Sequence, residues 1–186
     1  VLEGISAPIL DAVGDALRKS KVQIELLTLS EEDLRSSTDV FPIKFLDIKR
    51  THVIYRGKDV MSDLEIPRDN LRLRCEQEIK NLMLRLRLNY VSRKQNSKSI
   101  ASLLSRIYLS LIRNLGVLVE LKSGDVLATN SDIIKGAGKL GIDTVVLHDV
   151  EKLRQDNFSH DLEDRKRLLE KVMQCVRDAA AMADKL

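Results

Sequence analysis

The sequence predicts an α+β chain, with a small α/β segment at the N-terminus followed by an all-α helical bundle. Three observations carry that expectation. Proline and glycine are scarce, 3 and 8 among 186 residues, which favours long helices over a turn-rich β-sandwich. Aromatic residues are only 3% and Trp is absent, so the core must be aliphatic. Short β-like runs occur only in the first 66 residues, whereas apolar residues recur at helical spacing through the rest. With 44% hydrophobic and 32% charged residues, the balance is that of a globular chain and not a disordered one. Few aromatics also argue against a base-stacking platform.

The elements follow in order. Ile5, Ile9, Leu10, Val13 and Leu17 are spaced for a helix over 3–18, with Pro8 in its first turn. Val22, Ile24 and Leu26 alternate with Gln23 and Glu25, the pattern of a half-buried strand over 22–28. Ser30 followed by Glu31, Glu32 and Asp33 is a helix start, because the hydroxyl caps and the acids suit the positive end. Phe41, Phe45, Leu46 and Ile48 share one helical side, and Thr51–Tyr55 reads as a short second strand. Pro67 marks a boundary, giving a partial α/β segment at 1–66 and a helical bundle at 67–186. Leu71, Cys75, Ile79, Leu82, Met83, Leu86 and Tyr90 then make one face of a long helix. A second long helix, from about 99 to 121, is apolar on most sides and so is expected at the bundle's centre. Shorter helices are expected from 131 to 135, from 144 to 155 and from 161 to 185, for a total of four or five in the bundle.

The net charge is only +3, too small to imply nucleic acid or membrane by itself. Its distribution is uneven: residues 67–98 hold nine basic and three acidic side chains. The basic side formed by Arg68, Arg72, Arg74, Lys80, Arg85 and Arg87 could meet the phosphates of a nucleotide or nucleic acid. The competing reading is a solvated helix face paired with Glu76 and Glu78. Two distant cysteines without a Cys-x-x-Cys suggest a reduced, cytoplasmic protein with no zinc ribbon. Residues 1–20 lack a signal peptide's basic start and apolar run. Arg106, Arg113 and Glu120 interrupt the most apolar stretch, so no membrane span is expected. Val1 at the start fits removal of an initiator or a beginning inside a longer protein.

Motifs of chemistry are sparse. Gly136-Ala-Gly138-Lys-Leu-Gly141 matches G-x-G-x-x-G in letters, but a helix and not a strand is expected before it. His52 and His148 lack a second ligand at metal spacing. Arg154 and His160 resemble the Arg-x(4–6)-His signature of HEPN-type helical ribonucleases. That resemblance implies an Arg that steadies phosphate and a His in acid–base work.

A second resemblance covers the first 66 residues. Gln23–Leu34, Ser37–Ile48 and Val53–Asp59 are similar to the downstream part of a DNA polymerase β-like nucleotidyltransferase domain. In kanamycin-type and minimal nucleotidyltransferases a strand, a helix and an Ile/Leu-Tyr-Gly-like segment follow the catalytic hairpin, and a helical bundle often comes next. The resemblance puts Glu25 where that family's third carboxylate sits. The family also needs a Gly-Ser turn for triphosphate and an Asp-x-Asp pair for two Mg²⁺ ions, since hard cations need closely spaced oxygen ligands. This sequence has neither; Asp63-Leu-Glu65 follows no Gly-Ser turn. Mg²⁺ and nucleoside triphosphate are thus expected only if a catalytic region exists upstream, and no other cofactor or metal is expected. The resulting expectation is a nucleotidyltransferase-like protein without catalysis in this chain alone, whose bundle binds a substrate or partner. The alternatives are a HEPN-like RNA-acting module and a helical interaction protein that forms homo-oligomers. The candidate catalytic residues are Glu25, Arg154 and His160.

Overall fold

The computed structural model describes residues 1–2, 4–92, 96–155 and 161–186. The described residues hold eight helices: α1 (Ala7–Lys19), α2 (Glu31–Ser36), α3 (Pro42–Thr51), α4 (Arg68–Val91), α5 (Ser97–Ser123), α6 (Asn130–Lys139), α7 (Val145–Gln155) and α8 (Leu162–Ala183). The chain divides into two compact units, Val1–Asn70 and Leu71–Leu186.

The expected α+β class is overturned, because no strand forms among the described residues. Residues 22–28 and 52–55 are non-helical but join no ladder. The single β-like contact among the described residues is an isolated parallel bridge between Leu2 and Ser30, where Leu2 N–H donates to Leu29 C=O at 2.8 Å. The reason is that alternation says which side of a strand would be buried, while a strand exists only through a partner's hydrogen bonds. Thr51 ends α3 instead of opening a strand, and His52 caps it.

In the first unit, α2 starts as its sequence dictates. Ser30 Oγ accepts from Asp33 N–H, and the Asp33 carboxylate accepts from Ser30 N–H at 2.9 Å, a reciprocal capping box. The unit's core is small. Leu34, Phe45, Met61 and Leu64 are buried together, with Leu29, Ile48, Val60 and Ile66 packed against them. Asp59 shapes the turn that delivers Met61, accepting from the N–H groups of Met61 and Ser62 at 3.0 Å each. By contrast, α1 buries none of its residues.

Among the described residues the second unit is a helical bundle of α4 to α8. α5 packs against α6, α7 and α8, and α7 also meets α8. Thirteen of its residues are buried, including Leu104, Leu111, Leu115 and Leu118. α5 is long and apolar enough to cross a membrane by length and composition, yet most of that stretch is covered by the bundle. Gly124 ends it in the left-handed region, φ 81°, as helix C-termini favour. α4 lays Leu71, Cys75, Ile79, Leu82 and Leu86 inward at steps of three and four, and Cys75 Sγ lies 3.6 Å from the Asn114 carbonyl of α5. α6 runs straight through Gly136 and Gly138, where the glycines suggested an early end. A side chain at Gly136 would stand 2.8 Å from Leu127 Cδ1 and 3.2 Å from Val119 Cγ1, so close packing explains that glycine.

Candidate functional site

Of the three candidate catalytic residues, Glu25 lies exposed in the non-helical segment between α1 and α2. Arg154 lies in the last turn of α7. His160 falls outside the described residues. Glu25 and Arg154 belong to different units.

Arg154 has a visible structural partner. Its guanidinium carbon sits 4.9 Å from the centre of the Tyr108 ring, a cation–π stack. Tyr108 is buried on α5, and its hydroxyl closes no hydrogen bond among the described residues. Burial, then the nearby Glu151 carboxylate, push the phenol's pKa up, so it stays protonated. Sequence reasoning missed this platform, since the two residues meet only through the packing of α7 on α5. The lone aromatic in an otherwise aliphatic core helix was the available signal.

On the basic side of α4, Arg74, Lys80 and Arg85 are engaged in ion pairs. Arg74 binds Glu78 at 2.7 Å, and Arg85 reaches the same carboxylate at 3.5 Å. Lys80 bridges Glu76 at 2.7 Å and Asp184, beyond the end of α8, at 2.6 Å. Those two carboxylates hold the ammonium's pKa above its ordinary value. Between these charges runs a feature that the sequence reading passed over. Leu84, Leu88 and Val91 lie at i, i+4 and i+7 and are exposed.

The remaining motifs acquire structural roles. Gly136 and Gly138 lie inside α6 and not at the N-terminus of a helix, so the backbone donors that hold a pyrophosphate are absent from these glycines. His52 Nδ1 lies 3.0 Å from Lys49 C=O and Nε2 lies 3.1 Å from Asp59 Oδ1, tying the end of α3 to the turn at 59–62. His148 is exposed on α7. Among the described residues no three His, Cys, Asp or Glu side chains cluster as metal ligands.

No family model, curated protein or solved structure matches the chain.

Two open concavities lie among the described residues. One, of about 230 Å³, lies between α5, Leu127 and α6, with Asp132, Lys135 and Lys139 at its rim. The other, of about 510 Å³, is walled by residues 52–58 of the first unit, including Tyr55, Arg56 and Lys58. The larger anomaly is apolar. Ile5, Ile9 and Leu10 on and before α1, and Val22, Ile24, Leu26 and Leu27 after it, are all exposed. Isolated surface apolar residues need no explanation, whereas these seven lie close together in the sequence.

Proposed function

We propose that the chain is a helical partner-binding module with no nucleotidyl-transfer centre of its own. The observation that carries this reading is α1 together with residues 22–27. An amphipathic helix that buries none of its residues is followed at once by an apolar segment exposed to solvent. In water such side chains favour association, at about 25 cal/mol for each Å² of apolar surface covered. The sequence lacks the Gly-Ser turn and paired aspartates that nucleotidyl transfer requires, and ion pairs occupy much of the basic side of α4. The likeness of residues 23–59 to the downstream part of a nucleotidyltransferase domain belongs to the same proposal, as a binding role without the reaction. Two free, buried cysteines support a reduced, intracellular setting.

The test is the size of the assembly in an extract of its source cells. The chain is expected well above its own 21.1 kDa, and Ile9→Asp with Leu10→Asp should return it to the free chain. Migration as the free chain before any substitution would overturn the reading. Turnover of nucleoside triphosphates by pure protein would overturn the non-catalytic part. The RNA-acting alternative makes a separate forecast, that His160→Ala abolishes RNA cleavage.

A further inference from the structure

We infer that the outward side of α4 docks an amphipathic helix with acidic flanks, supplied by a partner protein. The inference concerns the second unit and stands apart from the surface of α1 and residues 22–27. Three observations lead to it.

The first is that α4 is apolar on two opposite sides. Leu71, Cys75, Ile79, Leu82 and Leu86 turn inward and are buried. Leu73, Leu84, Leu88 and Val91 turn the other way and are 50, 62, 67 and 77% exposed. A helix with apolar side chains all round is ordinarily covered all round. Here one of the two sides has its cover and the other faces water. The outer stripe runs about 27 Å from Leu73 to Val91, at about 1.5 Å per residue.

The second observation is the width of the stripe, and it selects the shape of the occupant. At about 3.6 residues per turn its four apolar side chains fall within about 60° of arc. A helix face that packs on a globular core spans about 100° or more, and the narrower seam is that of two helices laid side by side. A row of this kind is read by another helix, through side chains three and four residues apart. It offers a bilayer little apolar surface to bury.

The third is charge, and it selects the occupant's chemistry. From Ile79 to Val119 the sequence holds eight Lys and Arg and no Asp or Glu. By helical spacing Arg85 and Arg87 flank the stripe on its two sides. Arg85 has only a share of Glu78, at 3.5 Å, where Arg74 is closer at 2.7 Å. Arg87 meets the Met83 Sδ at 3.3 Å, and among the described residues no carboxylate engages it. A second α4 laid on the first would bring arginine to arginine. A nucleic acid would suit the arginines and leave the leucines in water. A helix with leucines along its seam and glutamates beside them matches both, and such flanking charges set partner choice between paired helices.

The experiment uses the full chain and a dye-labelled synthetic peptide of about 20 residues, long enough to span the stripe as a helix. The peptide carries Leu at the seam positions and Glu beside them, and binding is read by fluorescence anisotropy. The same peptide with Lys in place of Glu should bind at least about tenfold more weakly. Leu84→Ser with Leu88→Ser, both at exposed positions, should weaken the acidic peptide by about tenfold. Arg87→Glu should weaken the acidic peptide and strengthen the Lys peptide, an exchange of preference that a damaged fold would not produce. Ile9→Asp with Leu10→Asp should leave binding unchanged. Equal affinity for the two peptides, or acidic-peptide binding that survives the Leu84 and Leu88 substitutions, would overturn the inference. Binding lost only on the Ile9 and Leu10 substitutions would overturn it too, while leaving the partner-binding reading of α1 in place. Sedimentation with phosphatidylserine vesicles, or dimerisation of the pure chain, that the Leu84 and Leu88 substitutions abolish would give the stripe to a membrane or to a second copy, and either result overturns it.

Discussion

Cys75 and Cys175 show how packing overrides the chemistry of a side chain. Burial raises both thiols to about 12, with Glu76 adding to the rise at Cys75 and Asp178 at Cys175. At neutral pH neither offers a thiolate, which is the reactive form. A thiol reagent should therefore label neither in the native protein and both after denaturation; labelling of either in the native state would contradict the packing. Two carboxylates behave in the opposite sense. Asp33 is held below its ordinary 3.8 by hydrogen bonds from the side chain and backbone of Ser30. Asp59 is held below it mainly by the N–H of Ser62, with Met61 and His52 helping. A depressed folded value means that each contributes stability above pH 3.8 and loses it as the pH falls through that lower value. Melting the first unit across this range should show the acid loss, and Asp33→Asn with Asp59→Asn should flatten it. Arg154→Ala removes a cation–π stack and should cost about 0.5–1 kcal/mol in denaturant unfolding.

Helices reveal which signals are local. The inward face of α4 and the whole of α5 were legible because a helix carries its own hydrogen bonds, leaving periodicity to settle the rest. Ser30 and the acids after it were legible for the same reason, since a cap is chemistry between neighbours. The expected strands at 22–28 and 51–55 failed because a ladder is chemistry between segments distant in sequence. The early end expected for α6 failed for a related reason. Gly136 is needed where Leu127 and Val119 approach, and nothing within the helix announces that approach. Gly136→Val should place branched carbons in that contact and destabilise the second unit by about 1–3 kcal/mol in equilibrium unfolding. Leu115→Ala, in the covered middle of α5, should cost about 2–5 kcal/mol by the same measure.

For the molecule as a whole, two units with separate cores predict separable stability. The bundle has a long central helix and many buried leucines, whereas the first unit rests on the cluster of Leu34, Phe45, Met61 and Leu64, with Ile43 also buried. A fragment beginning at Pro67 should keep a cooperative thermal transition, and the full chain should lose its first unit at lower denaturant concentration. A non-cooperative fragment would show that the bundle needs residues 1–66. The candidate site was legible only in part. Glu25 and Arg154 were singled out by residue type and lie in different units, while Tyr108 beneath Arg154 and the exposed Leu84–Leu88–Val91 stripe depend on which face packing leaves open. Charge counts located the basic stretch of α4 without showing how far Glu76, Glu78 and Asp184 neutralise it.

The covering of α5 has an order in time. During synthesis α5 is complete at Ser123, while the last helix to pack on it ends at Ala183. At about 5–20 residues per second the ribosome needs several seconds to supply that cover. Through that interval the chain carries a nascent segment with the length and apolar character of a membrane span. A chaperone or targeting factor that reads such segments as they leave the ribosome would compete with α6, α7 and α8 for the same side chains. The yield of folded protein should then depend on translation speed across residues 124–183, a property that the finished bundle no longer displays.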